Sequence, residues 1–444
     1  MHQTTPAVTL RSDSTALGHR DRSGPDLARS QLDNGLQIVV IPDRRVPVVT
    51  HMVWYRNGSA DDPLGQSGIA HFLEHLMFKG TERHPVGEFS KVVSALGGQE
   101  NAFTSFDYTA YFQRVAPQHL ERMMEFEADR MSGLNFDDAV VAPERDVVLE
   151  ERRMRVETDP SAQLSEAMAA SLFVHHPYGI PIIGWMHEIE GLNRSHALDY
   201  YRRFYSPDNA ILVVAGDVEA GEVTMLAEKT YGRNAPHGDR GARPRPREPE
   251  PRAARHVSVA DPKVEQPTLQ RLYLTPSSRT AVGTEAHALE VLAELLGGGP
   301  TSHLYRTLVL ESGRAVNAGA WYMGSAIDET RFSVFAVPAE GITPAELEPD
   351  LDRAIAGAVG AVTDESLERA KTRLIAETIY SLDSQSSLAR IYGSALAVGE
   401  TLEDVRRWPD DIRAVTRDDL AAVAERFLVP RRSVTGYLLK DPSC

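Results

Sequence analysis

The sequence of 444 residues contains a single cysteine, Cys444, at its end. An intrachain disulfide is therefore excluded, and we expect no cysteine in any metal site. Long hydrophobic runs are also absent, since no apolar stretch approaches the roughly 18 residues that a membrane span requires. We therefore expect no membrane span in this chain.

Basic residues are in the minority. Lysine and arginine number 47 against 63 aspartates and glutamates, which gives a formal net charge of −16. An acidic surface repels phosphate groups, so neither nucleic acid nor an anionic membrane is expected as the main partner. The hydrophobic content of 42% and the charged content of 25% are typical of globular proteins, and the length indicates two or more domains with ample cores.

The first 30 residues lack the apolar core of a secretory signal, because they mix Thr, Ser, Asp and Arg. This composition predicts a flexible N-terminal arm over residues 1–30. The missing signal favours a cytoplasmic location, and a processed start would allow a periplasmic one.

The string from His71 to His75 reads His-Phe-Leu-Glu-His. It lies in a run from Ile69 to Lys79 without proline or glycine, which allows a helix. Residues three and four apart share a helix face, so His71, Glu74 and His75 point the same way. Two imidazoles and a carboxylate beside an open coordination position are typical of a hydrolytic zinc site. Many histidine pairs at this spacing bind nothing, so a further ligand is needed.

Candidates for that ligand lie in the acidic stretch from Glu144 to Glu151, which reads Glu-Arg-Asp-Val-Val-Leu-Glu-Glu. Val147, Val148 and Met154 recur at helical spacing, which predicts a helix. Glu144 and Glu151 are seven residues apart, two turns along one face. A solvated acidic helix face is the alternative interpretation.

Together these motifs resemble those of the inverted-zincin peptidases, the family that includes pitrilysin, insulin-degrading enzyme and the mitochondrial processing peptidase. The chain is most similar to the zinc-bearing subunit of the smaller, two-domain bacterial type. The resemblance implies one zinc ion per chain, held by His71, His75 and Glu151. The family spacing selects Glu151 rather than the adjacent Glu150.

The resemblance also implies that the chain is a zinc metalloendopeptidase, which hydrolyses peptides or unfolded protein segments. In it, Glu74 is the general base and then the acid, and Glu144 orients the site from outside the ligand set. The family also contains non-catalytic structural subunits of larger complexes, which form the alternative. Such subunits are expected to carry a damaged zinc motif, whereas here the motif is complete.

Polar and apolar residues alternate from Asn101 to Phe112, which predicts two strands joined by a turn near Phe106-Asp107. An ordinary sheet strand is one interpretation. The resemblance implies an exposed edge strand beside the zinc, to which a peptide adds as a further strand. The implied substrate-binding residues are Asn101, Ala102, Phe103 and Thr104.

Composition changes along the chain predict three structured regions after the arm. Residues 31–232 are the predicted zinc-binding catalytic α+β domain. Residues 233–255 are rich in proline and arginine, which is typical of an extended, semi-rigid linker. Residues 256–444 form a second, zinc-free α+β domain.

The two halves contain a weak repeat. The string Ala-His-Phe-Leu-Glu-His, which ends at His75, is echoed by Ala-His-Ala-Leu-Glu-Val, which ends at Val291, at an offset of 216 residues. Other matches lie in the same order at offsets of 218 and 223. Val291 replaces the second histidine, so we expect no zinc in the second half and packing roles for His287 and Glu290. The predicted fold class is α+β, with two homologous domains, each a mostly antiparallel β-sheet covered by helices.

An arginine and a tyrosine of the family pattern are missing. Alignment on Gly313 puts Val309 and Val316 at their positions, and neither side chain can donate a hydrogen bond. Because such donors stabilise the developing oxyanion, the predicted partner is a zinc-free paralogous subunit that supplies them in a heterodimer. A homodimer is the alternative.

Overall fold

A computed structural model describes residues 26–236 and 243–441, which form two β-sheets with helices around them. The first sheet contains β1 (Ala28–Gln31), β2 (Gln37–Pro42), β3 (Val49–Tyr55), β4 (Gln99–Thr104), β5 (Thr109–Val115) and β6 (Ala210–Gly216). The second sheet contains β7 (Arg255–Asp261), β8 (Thr268–Thr275), β9 (Ala315–Tyr322), β10 (Thr330–Pro338) and β11 (Ser433–Lys440).

Helices alternate with these strands in both halves. In the first half they are α1 (Ile69–Leu76), α2 (Glu88–Ala95), α3 (Leu120–Gly133), α4 (Asp138–Arg152), α5 (Pro160–Leu172), α6 (Met186–Ile189), α7 (Arg194–Phe204) and α8 (Ala220–Thr230). In the second half they are α9 (Glu285–Gly297), α10 (Pro344–Ala358), α11 (Asp364–Ser381), α12 (Gln385–Val398), α13 (Leu402–Ala414) and α14 (Arg417–Phe427).

The five strands of the second sheet repeat the topology of five strands in the first, which has β1 as an additional edge strand. The strand orders are β1-β2-β6-β3-β5-β4 and β7-β11-β8-β10-β9. In each sheet the strand that comes last in the chain runs parallel to one neighbour. These parallel pairs are β6 with β2 and β11 with β7, and the remaining pairs are antiparallel. The predicted fold class, two homologous α+β units with mostly antiparallel sheets, is confirmed.

The repeat extends to the strand register. Tyr55 of β3 lies opposite Ala210 of β6, and Tyr273 of β8 lies opposite Ser433 of β11. The two pairs are related by the offsets of 218 and 223 residues that the sequence shows. Because a slip by one residue turns every side chain to the other face, equal registers bury equivalent positions in both halves.

Each sheet packs helices on both faces. One face of the first sheet lies on α1, α3, α7 and α8, and its other face is covered by α12 from the second half. Conversely, α5 from the first half packs on the second sheet, with Leu164, Met168 and Leu172 buried there. The two halves therefore interlock through exchanged helices.

Two parts of the predicted segmentation differ in the structure. Residues 1–25 of the predicted arm lie outside the described residues, but Ala28–Gln31 pairs with β2, so the prediction of a flexible arm is wrong over residues 28–30. Leu27 packs beside this strand on the face that α12 covers, which gives the segment a reason to be ordered. The helix predicted from Glu144 begins earlier, at Asp138, with Asp137 as its N-cap and Pro143 inside it.

Residues 243–254 of the predicted linker form neither helix nor strand. Its side chains nevertheless pack against the first half, and Glu248 is buried. No helix within residues 26–236 and 243–441 is long and apolar enough to cross a membrane.

Candidate active site

The candidate site is built on α1, a helix of eight residues that is almost completely enclosed. Its apolar side chains, Ile69, Ala70, Phe72, Leu73 and Leu76, are fully buried, which fixes the direction of the polar face. Gly68 precedes the helix with φ of 86°, and a Cβ there would lie 2.4 Å from the carbonyl oxygen of Ile183. Only glycine fits this position without strain.

The predicted ligands converge on one point. Nε2 of His71 lies 3.7 Å from Oε2 of Glu151, and Nε2 of His75 lies 3.3 Å from the same oxygen. The structure therefore brings His71, His75 and Glu151 together, whereas Glu150 is exposed and pairs with Arg153. Among the described residues, this trio is the one group of His, Cys, Asp or Glu side chains close enough to hold a metal ion.

Glu144 orients the second histidine. Its Oε1 lies 3.0 Å from Nδ1 of His75, and its Oε2 lies 2.5 Å from Nζ of Lys79. A proton on Nδ1 leaves the lone pair of His75 on Nε2, facing Glu151. Burial alone raises the pKa of Glu144, but the His75 hydrogen bond and Lys79 outweigh it and lower the pKa. The carboxylate therefore stays ionised as the hydrogen-bond acceptor.

The two carboxylate oxygens of Glu151 have different surroundings. Its Oε1 lies 2.8 Å from Nη1 of Arg155, while its Oε2 is buried without a hydrogen-bond partner among the described residues. Arg155 belongs to a π-helical turn, Arg153–Glu157, that continues α4. Single π-helical turns of this kind are frequent at functional sites.

The pKa values of the two histidines shift in opposite directions. Burial lowers the pKa of His71 to about 3, and His75 and Arg155 add to the effect, so His71 is neutral at pH 7. Burial also acts to lower the pKa of His75, but the Glu144 hydrogen bond and the charge of Glu151 raise it overall. The same carboxylates attract a cation, and metal binding requires neutral imidazoles.

These observations fit a zinc ion. The donor set is two imidazole nitrogens and one carboxylate oxygen, as in catalytic zinc sites that keep an open position. The buried Oε2 of Glu151 has no hydrogen-bond partner among the described residues, and a bound cation would remove the cost of that unsatisfied oxygen.

Glu74 lies beside the three ligands and is held by the edge strand. The hydroxyl of Thr104 donates to Oε2 of Glu74 at 2.5 Å. Burial raises the pKa of Glu74, and the Thr104 hydrogen bond limits the rise. A carboxyl group with a raised pKa beside a metal site has the character of a general base.

The four predicted substrate-binding residues lie on β4, which is the edge of the first sheet. Their side chains alternate between the two faces of the sheet. Thr104 faces Glu74, and Ala102 packs on the core that contains α1. Phe103 packs edge-on against Trp54 on the opposite face, under the guanidinium of Arg390. Asn101 is exposed, and its Oδ1 accepts from the amide of Ala102.

No equivalent group of ligands occurs among the described residues of the second half. Val291 of α9 is fully buried at the position of His75. Glu290, the equivalent of Glu74, accepts a hydrogen bond from Nε1 of Trp408 at 2.9 Å. This face of α9 packs within the domain, as expected from the loss of the second histidine.

Val309 and Val316 lie in the second half. Val309 is in a π-helical segment, Tyr305–Glu311, and packs on the second core. Val316 is exposed on β9. Neither side chain can donate a hydrogen bond, so the missing arginine and tyrosine are not replaced at these positions.

Two cations of the site were missed by the sequence reasoning. Lys79 binds Glu144, and Arg155 binds Glu151. Lys79 lies four residues after His75, just beyond the end of α1, and Arg155 lies four residues after Glu151, in the π-helical turn that continues α4. This spacing is the signal that could have found them.

Comparison with known proteins gives consistent matches along the chain. Residues 37–185 match the family model described as Insulinase (Peptidase family M16), and residues 191–374 match the one described as Peptidase M16 inactive domain. The zinc protease PqqE of Helicobacter pylori is 32% identical over 92% of this chain and 91% of that protein. An uncharacterized zinc protease of Streptomyces coelicolor is 30% identical over 88% of this chain and 87% of its own length. The crystal structure of a protease from Helicobacter pylori, at 31% identity, superposes with a TM-score of 0.87 and covers 94% of this chain and 99% of that one.

Proposed function

The chain belongs to the insulinase family of zinc proteases, peptidase family M16, and we propose that it is a zinc-dependent endopeptidase of peptides or unfolded protein segments. The observation that carries the proposal is the convergence of His71, His75 and Glu151 beside Glu74. The spacing within α1 explains why His71 and His75 face the same way. The fold then brings Glu151 of α4 to these two histidines.

His71, His75 and Glu151 hold the zinc ion in this proposal. Zinc on three protein ligands lowers the pKa of a water molecule and polarises a carbonyl group. Glu144 keeps the lone pair of His75 on Nε2, and Lys79 keeps Glu144 ionised. Arg155 binds Oε1 of Glu151, which leaves Oε2 for the metal.

Glu74 moves the protons. Its Oε2 is engaged by Thr104, so Oε1 is the atom that accepts a proton from the attacking water and passes it to the leaving amine. The raised pKa of the carboxyl group supports both steps, because it reduces the difference in proton affinity between Glu74 and its partners.

The substrate binds as an additional strand on β4. Main-chain hydrogen bonds hold an extended peptide with little regard to its sequence, which suits unfolded segments. Thr104 ends this strand and touches Glu74, so a peptide on β4 runs beside the general base.

A zinc-free paralogous subunit completes the site in this proposal. Val309 and Val316 cannot stabilise an oxyanion, and a paralogue that carries the arginine and the tyrosine can supply both. A second copy of this chain would bring the same two valines.

The test combines metal analysis with peptidase assays. The purified chain is expected to bind one zinc ion, and it is expected to cleave an unfolded peptide only after its paralogue is added. Glu74→Gln is expected to retain zinc and to lower kcat at least about 100-fold. Glu151→Gln is expected to lose zinc, while Glu150→Gln, the matched control on the same helix, keeps both zinc and activity.

Each part of the proposal can fail separately. Full activity from the chain alone would contradict the requirement for a paralogue. Stoichiometric zinc without activity in either sample would favour the alternative, a non-catalytic structural subunit. Loss of zinc in Glu150→Gln and not in Glu151→Gln would contradict the ligand assignment.

A further inference from the structure

The segment that joins the two halves contributes two arginines to a buried cluster of charges. Arg243 and Arg245 lie in the part of this segment that has no helix or strand, and both meet Asp61 and Asp107. The side chains of Arg245, Asp61 and Asp107 are only 4%, 6% and 3% exposed. Buried charges of this kind are retained where the pairing is close and hydrogen-bonded.

Arg245 bridges two separate stretches of the first half. Its Nη1 donates to Oδ1 of Asp61 at 2.8 Å and to the carbonyl oxygen of Ala60 at 3.2 Å. Its Nη2 donates to Oδ1 of Asp107 at 3.0 Å. One guanidinium therefore holds both carboxylates.

Arg243 repeats the bridge. Its Nη2 lies 2.7 Å from Oδ2 of Asp61 and 2.7 Å from the carbonyl oxygen of Asp107. Two further groups meet the side chain of Asp107, namely the hydroxyl of Tyr178 and, from the second half, the amide of Ile327 at 3.0 Å.

Each aspartate lies close in sequence to an element that carries a residue of the candidate site. Asp61 ends the turn Ser59–Asp61, and the next residue, Asp62, accepts hydrogen bonds from the amides of Gly68 and Ala70 at the start of α1. Asp107 lies in the turn between β4 and β5, three residues after Thr104. The bridge therefore joins the approach to the helix of Glu74 to the hairpin that carries the edge strand.

The segment is anchored independently of these arginines. Glu248 is buried, and its carboxylate accepts hydrogen bonds from the amides of Val174, His175 and His176 at 2.8 to 2.9 Å. The segment therefore has a second attachment to the first half, three residues after Arg245.

We propose that Arg243 and Arg245 are positioning residues of the active site, which set the distance between Glu74 on α1 and a peptide bound along β4. This inference rests on the proposed peptidase function for its kinetic consequences and on the contacts above for its structural ones. In this proposal the segment between the halves positions elements of the active site and also connects the two halves.

A specific kinetic pattern follows from this role. Without the bridge, β4 still offers its main-chain groups, so peptide affinity changes little. The bound peptide shifts relative to Glu74, and a displacement of about 1 Å is enough to lower the rate about 100-fold. The expected result for Arg245→Gln is a fall in kcat of about tenfold or more, with KM changed less than about threefold.

The experiment compares Arg243→Gln and Arg245→Gln with Arg252→Gln, an exposed arginine of the same segment. Zinc content per chain counts intact sites in every sample, so a fall in kcat at constant zinc is not a loss of folded protein. Hydrogen exchange is measured in parallel at the amides of Ser59 and Ala60, which bond to the carbonyls of Ser105 and Phe106 in the hairpin turn. Exchange there is expected to be about tenfold faster in the two bridge variants and unchanged in the control.

The exchange measurement separates this inference from the proposed function. If the unmodified chain and its paralogue show no peptidase activity, the peptidase proposal fails, and faster exchange at Ser59 and Ala60 still supports the bridge. Unchanged exchange, or a kcat within twofold of the unmodified protein, would overturn the inference. If Arg245→Gln does not fold, Arg245→Lys keeps the charge but loses the two-pronged contact, and the same exchange measurement decides.

Discussion

Two carboxylates of the candidate metal site, those of Glu144 and Glu151, each pair with a cation. Lys79 takes one oxygen of Glu144, whose other oxygen fixes His75. Arg155 takes one oxygen of Glu151, and the second oxygen remains directed at the histidines. Arg155 therefore determines which oxygen of Glu151 faces the histidines, and Lys79 determines which oxygen of Glu144 meets His75.

Thr104 connects the peptide-binding strand to the general base, and its loss is expected to reduce activity with no loss of zinc. Thr104→Val removes the hydrogen bond to Oε2 of Glu74 while it preserves the side-chain shape. A hydrogen bond to a charged group is worth about 1.5–3 kcal/mol, so kcat/KM is expected to fall about 10- to 100-fold. Peptidase assays on zinc-loaded protein provide the measurement, and Thr104→Ser, which keeps the hydroxyl, is the control. Equal activity of the valine and serine variants would contradict the assigned contact.

Glu290 makes folding stability depend on pH. Burial raises the pKa of its carboxyl group to about 7, against the partial compensation of the Trp408 hydrogen bond. The unfolded chain releases this proton near pH 4.5 and the folded chain near pH 7, so the contribution of Glu290 to stability is greatest below pH 4.5 and declines as the pH rises to 7. The decline is on the order of 1 to 3 kcal/mol.

Glu290→Gln removes this titration. In denaturant unfolding, the free energy of unfolding at pH 8 relative to that at pH 4.5 is expected to be higher for the glutamine variant than for the unmodified protein. The exposed residue Glu425 gives a matched control, since Glu425→Gln is expected to leave the difference unchanged. A pH dependence that survives in Glu290→Gln would show that other groups produce it.

At the scale of secondary structure, the packing of α12 on the first sheet requires a close approach of the helix to the sheet. Gly393 of α12 lies against Trp54 of β3, and a Cβ at this glycine would be 2.1 Å from Cε2 of the indole. A buried indole has little freedom to move in a packed core. The glycine therefore sets how closely α12 can cover the first sheet.

Gly393→Ala is expected to destabilise the protein by about 1 to 3 kcal/mol, because the added methyl group overpacks the contact with Trp54. Gly357 of α10 has open space around its Cβ position, so Gly357→Ala is expected to stabilise by up to about 1 kcal/mol. Thermal or denaturant unfolding of the two variants measures both effects. Equal stabilities for the two variants would mean that α12 moves away from the sheet without cost.

At the scale of the whole molecule, the exchange of α5 and α12 makes each half contribute to the core of the other. Leu172 of α5 is fully buried against the second sheet, although it belongs to the first half of the chain. A domain that depends on a helix from its neighbour loses that support when the neighbour unfolds. The two halves are therefore expected to unfold in one cooperative transition.

Leu172→Ala tests this coupling. It is expected to cost about 2 to 5 kcal/mol and to lower the protection of β3 and β11 together in hydrogen exchange under denaturant. The control is Leu64→Ala, since Leu64 is 96% exposed and its truncation is expected to change stability by less than about 0.5 kcal/mol. Loss of protection in β11 at a denaturant concentration where β3 stays protected would contradict a single transition.

The sequence by itself determined the features that depend on near neighbours. Spacings of three and four residues placed His71, Glu74 and His75 on one face, because the helical period is local. Alternation and a turn predicted the β4–β5 hairpin, and a constant offset predicted that the two halves share one topology. The choice of Glu151 over Glu150 came from family resemblance, since spacing alone left both open.

Only the tertiary structure decided what meets across long distances in the chain. Thr104 reaches Glu74 from another strand, Leu27 orders the start of β1, and Arg245 joins Asp61 to Asp107 from well over one hundred residues away. Such contacts depend on how strands and helices stack, and residue type and local period do not encode that arrangement. The pattern of the motifs therefore gave the chemistry of the site, and the packing of the two halves gave its geometry.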